Sequence, residues 1–229
     1  AGIVFIGPPS DVLAQMGDKL AAKEIAKRAG VKTIPGSEAP ITDVEEAVRM
    51  ANEFGYPVIL KAAAGGGGKG MRRASSDEEL RAAFDLVGSE ALKSFGNGDI
   101  FLEKYIEQPK HVEVQVLGDQ HGNIVHLYER DCSVQRRFQK VIEFTPAFTV
   151  PQHTREAMYE DALKIAREVG YVSAGTVEFL VDKNGDHYFI EMNPRIQVEH
   201  TVTEQTTGVD LVQAQILIAE GLPLDDPQL

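Results

Sequence analysis

The stretch Val177-Glu178-Phe179-Leu180-Val181-Asp182-Lys183-Asn184-Gly185-Asp186-His187-Tyr188-Phe189-Ile190-Glu191-Met192 decides the fold. Two runs rich in β-branched and aromatic residues flank Asn184-Gly185, the favoured pair for a two-residue type I′ turn. That turn makes the strands antiparallel. Its register pairs Lys183 with Asp186, Asp182 with His187, Leu180 with Phe189 and Glu178 with Glu191. One face then carries Val177, Phe179 and Val181 against Met192, Ile190 and Tyr188, which is a core face. The other face sets the two glutamates directly opposite each other. Opposed like charges on adjacent strands destabilise the pair, and one carboxyl tends to keep its proton. A divalent cation between them removes the conflict. Asn193, just beyond, offers a further oxygen, and all-oxygen ligation selects magnesium or manganese over zinc. Two glutamates on a solvated face would read the same way. A three-residue loop would slip the register by one and break the pairing.

Working outward, a second hairpin precedes this one. From His111 the pattern is two-fold: Val112, Val114 and Val116 alternate with Glu113, Gln115 and Leu117, and Asp119 to Asn123 turns the chain into Ile124–Glu129. Val58–Ala62, Met71–Ala74 and Asp99–Tyr105 read as strands. Helical periodicity marks Glu45–Phe54, a segment opened by Ser76 with Glu79 in a capping box, Glu156–Val169 and Val209–Ala219. Ser10 or Asp11 caps a short helix and Asp18 a second. Ala1–Ile6 reads as a short buried strand, and a chain opening inside a strand looks like a piece of something longer. Hairpins mixed with helices argue for an α+β fold.

The chain has 229 residues, with 23 Lys plus Arg against 35 Asp plus Glu, a net charge of -12. That balance argues against a general nucleic-acid or anionic-membrane binder. No apolar run reaches the length of a membrane span. Cys132 is the single cysteine, so there is neither an intrachain disulfide nor a cysteine zinc site. A reducing cytosol or a mitochondrial matrix fits.

Three further segments carry chemistry. Gly65-Gly66-Gly67-Gly68-Lys69-Gly70 lies between two strands, with Lys61 upstream; its uncovered amides suit phosphate oxygens, as a lid closing over a nucleotide. It is not a Walker A loop, and a flexible connection would look the same. In Asn193-Pro194-Arg195-Ile196-Gln197-Val198-Glu199-His200-Thr201, Arg195 offers a planar fork for a carboxylate, phosphate or bicarbonate, Gln197 a donor, and Glu199 a base. A polar loop with a structural salt bridge is the plainer reading of its composition. Arg130–Lys140 concentrates four basic residues; most such runs are solvated faces, and this one suits a small anion better than a duplex.

Taken together, these segments resemble the biotin carboxylase family of ATP-grasp enzymes, nearest to its pyruvate carboxylase branch. The matching stretches are MGDK at 16–19, GYPVILKAAAGGGGKGMR at 55–72, EKYIEQPKHVEVQVLGD at 103–119, ERDCSVQRRFQKVIE at 129–143, AGTVEFLVD at 174–182 and FIEMNPRIQVEHTVTE at 189–204. The resemblance implies an ATP-grasp fold truncated at both ends. Residues 1–32 would be a linker from an N-terminal subdomain, 33–106 the glycine-rich lid and 107–229 the antiparallel-sheet C-subdomain. It implies a ligase that carboxylates biotin on a carrier, using ATP, Mg2+ or Mn2+, and bicarbonate, through carboxyphosphate. Lys19, Lys61, Gly67 and Gly68 would meet ATP phosphates. Glu103, Lys104, Tyr105 and Ile106 would hold the adenine edge, with His111 and Gln135 near ribose and phosphates. Glu178, Glu191 and Asn193 would ligate the metals. Lys140, Arg195, Gln197 and Val198 would position bicarbonate, and Glu199 would deprotonate it. Phe138 stands where many members have His. The biotinyl carrier and carboxyltransferase would lie elsewhere in a parent that forms homo-oligomers. A carbamoyl-phosphate-type ligase, or a nucleotide-binding module without turnover, are the other readings.

Overall fold

The computed structural model describes residues 2–63 and 70–229, the side chain of Phe95 excepted. In chain order the elements are α1 (Ser10–Gly17), α2 (Lys19–Arg28), α3 (Val44–Phe54), β1 (Val58–Ala62), β2 (Met71–Ala74), α4 (Asp77–Phe95), β3 (Ile100–Lys104), β4 (Lys110–Gly118), β5 (Ile124–Arg136), β6 (Gln139–Phe144), α5 (Gln152–Glu168), β7 (Ser173–Val181), β8 (His187–Asn193), α6 (His200–Thr207) and α7 (Leu211–Ala219). They form two compact units. The larger takes residues 1–33, 108–135 and 140–229, the smaller 34–107 and 136–139.

In the smaller unit β1 sits between β2 and β3, antiparallel to both. Helices α3 and α4 cover one side, burying Ala47, Val48 and Ala51 with Leu80, Phe84 and Val87 against Val58, Leu60 and Leu102. The Ser76 hydroxyl accepts from the Glu79 amide at 3.3 Å, while the Glu79 carboxylate takes the Ser75 amide at 2.8 Å. The start of α4 is thus reciprocally capped, its return bond one residue upstream of the expected one. The helix ends at Gly96, whose φ of 73° suits glycine.

The larger unit is built on a five-stranded sheet ordered β6-β5-β4-β7-β8. One face is apolar: Val112, Val114 and Val116 of β4, with Val177, Phe179, Phe189 and Met192, pack against α1, α2 and α5. Residues 1–33 share this core through Val12, Met16, Ile25 and Ala26, and the segment 1–32 expected as a linker lies within them. Asp18 caps α2 as expected, accepting from the Leu20 and Ala21 amides at 2.9 Å. Neither Ser10 nor Asp11 caps α1; Pro9 is its N-cap and no side chain closes it. Ala1–Ile6 is not a buried strand: residues 2–6 form none, and Ile3 to Ile6 are exposed. The opposite face is divided. Leu117 and Ala174 lie under Leu211, Ala214 and Ile218 of α7; the other half is polar and forms the site.

The β7–β8 hairpin closes differently from the expected turn. Asp182 pairs with Asp186, so Lys183, Asn184 and Gly185 form a three-residue loop. The Asp182 carboxylate holds it, accepting from the Asn184 and Asp186 amides at 2.8 and 3.0 Å. Gly185 alone takes positive φ, at 88°, whereas a type I′ turn needs Asn184 there too. The register near the turn is consequently slipped by one: Val181 faces His187 and Leu180 faces Tyr188. A bulge between Glu178 and Phe179 takes up the extra residue, Ile190, and Glu178 again faces Glu191. Phe189, not Ile190 or Tyr188, fills the core beside Phe179.

Candidate active site

Four charged residues stand in one row across the polar half of the sheet. Arg130 on β5 faces Glu113 on β4, Glu113 faces Glu178 on β7, and Glu178 faces Glu191 on β8. Three neighbouring carboxylates in a row are self-repelling, and each contact between them needs a cation. Arg130, fully buried, gives its Nε to Glu113 at 2.6 Å. Lys140 of β6 bonds Glu113, Glu178 at 3.0 Å and Glu199 at 2.8 Å. Burial alone would lower the Lys140 pKa, but the Glu178 and Glu113 charges raise it, so the ammonium persists.

Glu178 is the most heavily partnered of the three. His111 Nε2 lies 2.6 Å from Oε2; Oε1 accepts from Asn193 at 2.8 Å and Gln197 at 3.2 Å as well as from Lys140. Burial pushes its pKa up, yet His111 and Lys140 outweigh burial and bring it to about 2. Gln135 joins the cluster by bonding His111 Nδ1 at 2.8 Å.

Glu191 is the contrast. Burial, then the Glu178 charge, raise its pKa, while Lys19 pulls weakly the other way. Among the described residues no hydrogen bond or ion pair is drawn to its carboxylate. A half-buried carboxylate opposite another, both all-oxygen donors, fits a hard divalent cation. Asn193 turns its amide nitrogen to Glu178 and its oxygen toward Arg195, 3.4 Å away. Glu113, Cys132 and Glu199 also bring ligand atoms within 4.8 Å of one another. Lys140 already bonds two of them, so that trio holds an ammonium.

The 193–199 segment carries the anion-binding candidates. Arg195 is exposed and spends two donors, on the Ile196 carbonyl at 3.1 Å and on Asn193. Gln197 is buried. Glu199 is the N-cap of α6, and although burial raises its pKa, the Lys140 hydrogen bond brings it down. It is a carboxylate ready to take a proton. Val198 is 91% exposed.

In the smaller unit Lys61 pairs with the buried Glu103. Lys104 donates to the Gly55 and Tyr56 carbonyls at 2.7 and 3.0 Å, and the Tyr105 ring lies under Arg73, 5.2 Å from its centroid. Ile106 lies two residues past the end of β3. Gly67 and Gly68 lie outside the described residues, as does the lid read over Gly65–Gly70 save for Gly70 itself. Phe138 is 57% exposed with φ 64°.

Sequence reasoning missed Glu113 and Arg130. The alternation in β4 separates the valines from Glu113, Gln115 and Leu117 without saying what covers the second face, on which Glu113 and Gln115 are as buried as the valines. The turn alone could not show it: the register set at Asp119–Asn123 would place Glu113 opposite Glu129, and a bulge between Val114 and Val116 shifts the pairing so that Glu113 faces Arg130. It also missed β6, which delivers Lys140, and α6.

The family model of the carbamoyl-phosphate synthase L chain ATP-binding domain matches residues 18–227. The chain belongs to that family. Within it, the whole chain is 62% identical to pyruvate carboxylase 1 of Caenorhabditis elegans and covers 20% of that protein. Mitochondrial pyruvate carboxylase of Homo sapiens is 58% identical over 99% of the chain, which spans 19% of it. Among solved structures, the biotin carboxylase domain of Hydrogenobacter thermophilus 2-oxoglutarate carboxylase, in complex with MgADP, ADP and bicarbonate, has a TM-score of 0.93 and 56% identity over 98% of this chain and 49% of that one. Biotin carboxylase from Campylobacter jejuni has a TM-score of 0.94 and 51% identity over 98% and 50%. The chain thus spans about a fifth of the pyruvate carboxylases and about half of the biotin carboxylase chains. Its fold is the α+β, antiparallel-sheet ATP-grasp fold of those structures.

Proposed function

We propose that this family member carries the ATP-dependent step of biotin carboxylation: bicarbonate attacks the γ-phosphate of ATP and displaces ADP, and the resulting carboxyphosphate breaks into phosphate and CO2, which is taken up by biotin on a carrier. The observation that carries the reading is the convergence on Lys140 of Glu113, Glu178 and Glu199 beside Gln197. Lys140, Gln197 and the remaining donors of Arg195 hold the bicarbonate anion. Glu199, unprotonated and tied to Lys140, accepts the bicarbonate proton and so exposes an oxygen nucleophile. Lys140 is shared between anion and base, so its charge offsets the negative charge gathering in the transition state. Glu178 and Glu191, with Asn193, would hold Mg2+ or Mn2+, which neutralises the transferring phosphoryl when bound. Lys19, Lys61, the glycines, Glu103–Ile106, His111 and Gln135 are assigned to ATP by the family resemblance.

The names of the relatives support this reading, including the biotin carboxylase domain solved with MgADP and bicarbonate. They also support a biotinyl carrier and a carboxyltransferase as partners, and an oligomer, since that domain is a dimer. No helix among the described residues is long and apolar enough to cross a membrane. The compartment we assign is the cytosol or, in a eukaryote, the mitochondrial matrix; the human and mouse relatives are named as mitochondrial. The test is ADP release by the complete protein with labelled bicarbonate, with free biotin or ammonia added. Bicarbonate-dependent release with label passing to biotin is expected. Label in carbamoyl phosphate instead would favour the other ligase reading, and ATP binding without turnover would favour a binding module.

A further inference from the structure

Arg130 makes more side-chain bonds than any other described residue of the site, and none of them goes to a position where a ligand would sit. Its Nε meets Glu113; Nη1 meets Gln115 Oε1 at 2.8 Å and Thr203 Oγ1 at 2.7 Å; Nη2 meets Gln197 Oε1 at 3.1 Å and Thr176 Oγ1 at 3.4 Å. It is fully buried, so every donor is spent inside the protein.

The bond to Gln197 has a directional consequence. A carboxamide has two chemically opposite ends of nearly equal shape. A guanidinium has donors only, so it can hold just the oxygen end. With Oε1 taken by Arg130, the NH2 end must point the other way, where it donates to Glu178 Oε1 at 3.2 Å. Reversed, Gln197 would present an acceptor to an anion already facing carboxylates. The bond to Thr203 acts on a different element. Thr203 sits in the first turns of α6, whose N-cap is Glu199. One planar group therefore fixes Gln197, the base-bearing end of α6, and the Glu113 oxygen opposite Lys140.

We infer that Arg130 is a positioning residue of the anion site: it holds Gln197 donor-end outward and moors the helix that begins at Glu199. The inference rests on the bicarbonate reading above and assigns Arg130 no contact with substrate. Lysine is no substitute, since a point charge on a flexible stem cannot span Glu113, Gln197 and Thr203 together.

The test uses Arg130→Lys in the complete protein, because it keeps a cation beside Glu113 and so preserves the fold. The KM for bicarbonate is expected to rise by about tenfold or more, with KM for MgATP within about twofold. In a Gln197→Ala background the same change should add no more than the roughly two- to fivefold that the Thr203 bond carries, since the rest of its effect runs through Gln197. An equal rise in both KM values, or additive losses, would overturn the inference. A crystal structure of Arg130→Lys gives a readout independent of activity: the Gln197 amide should leave Glu178, and an unmoved amide overturns the positioning role. If the unmodified protein shows no bicarbonate-dependent ATP cleavage, the functional reading fails, and that structure alone decides the role of Arg130. Should Arg130→Lys fail to fold, Thr203→Val removes only the hydroxyl holding Nη1. It should raise bicarbonate KM by roughly two- to fivefold, and an unchanged KM overturns the inference.

Discussion

Replacing Glu113 by Gln tests the charge balance of the row. The two side chains have nearly the same shape, so the core under β4 is not disturbed. What changes is charge. Glu113 serves two cations, and they lose unequal amounts. Lys140 retains Glu178 and Glu199, at 3.0 and 2.8 Å. Arg130 retains only neutral partners: Gln115, Thr203, Thr176 and Gln197. Glu113 and Arg130 both have side-chain exposures of 0%. Stripping the counter-charge from a fully buried ion costs about 3–5 kcal/mol. For a unit of this size each kcal/mol lowers the melting temperature by roughly 2–4 °C, giving a fall of about 6–20 °C. The measurement is thermal unfolding followed by circular dichroism, with urea titration as a second axis. Glu113→Gln combined with Arg130→Met should recover part of the loss, because the stranded charge goes with its partner. A drop under about 2 °C for Glu113→Gln alone would refute the claim that Arg130 depends on this carboxylate.

Glu178 has a folded-state pKa of about 2, below the ordinary 4.5. Its contribution to stability is therefore complete above about pH 4.5 and lost as pH falls toward 2, on the order of 3 kcal/mol in all; Glu178→Gln should flatten that limb of a pH–stability profile. Glu191→Gln should weaken nucleotide-dependent Mn2+ binding by about tenfold or more with the fold intact, read by electron paramagnetic resonance; unchanged Mn2+ binding would count against the paired-carboxylate metal site. Lys140→Met leaves Glu113, Glu178 and Glu199 facing one another, and bicarbonate-dependent ADP release should fall by about 100-fold or more; release within about threefold of the parent would remove Lys140 from the mechanism.

Most of the architecture was legible because it rests on local signals. Asn184-Gly185, the β4 alternation and the helix caps at Asp18 and Ser76 each specify an element within a few residues. The short strands around the glycine run could be read from composition alone. What was not legible rests on tertiary placement. Nothing in Gln139–Phe144 marks it as the strand that brings Lys140 to three carboxylates drawn from β4, β7 and the start of α6. Glu113 was hidden because a two-fold alternation does not say whether the face opposite a row of valines meets water or protein, and because a bulge resets its partner strand. Here that face meets more protein. Ala1–Ile6 shows the converse: apolar composition suggested a strand, and residues 2–6 find no pairing partner among the described residues.

The extra residue at Ile190 gives the hairpin a form of mechanical insulation. Two closures of this ribbon keep Glu178 opposite Glu191: a tight two-residue turn on straight strands, or the wider loop with its correction absorbed at Ile190. They differ only in the short span between turn and bulge, where one would seat Ile190 in the core and the other seats Phe189. The carboxylate pair stands beyond that span and is indifferent to the choice. Sequence drift at Asp182–Asp186 can then alter how the ribbon ends, or let residues 187–189 slide by one position, without transmitting the shift to the site. The turn is free to vary because the strand carries its own slack.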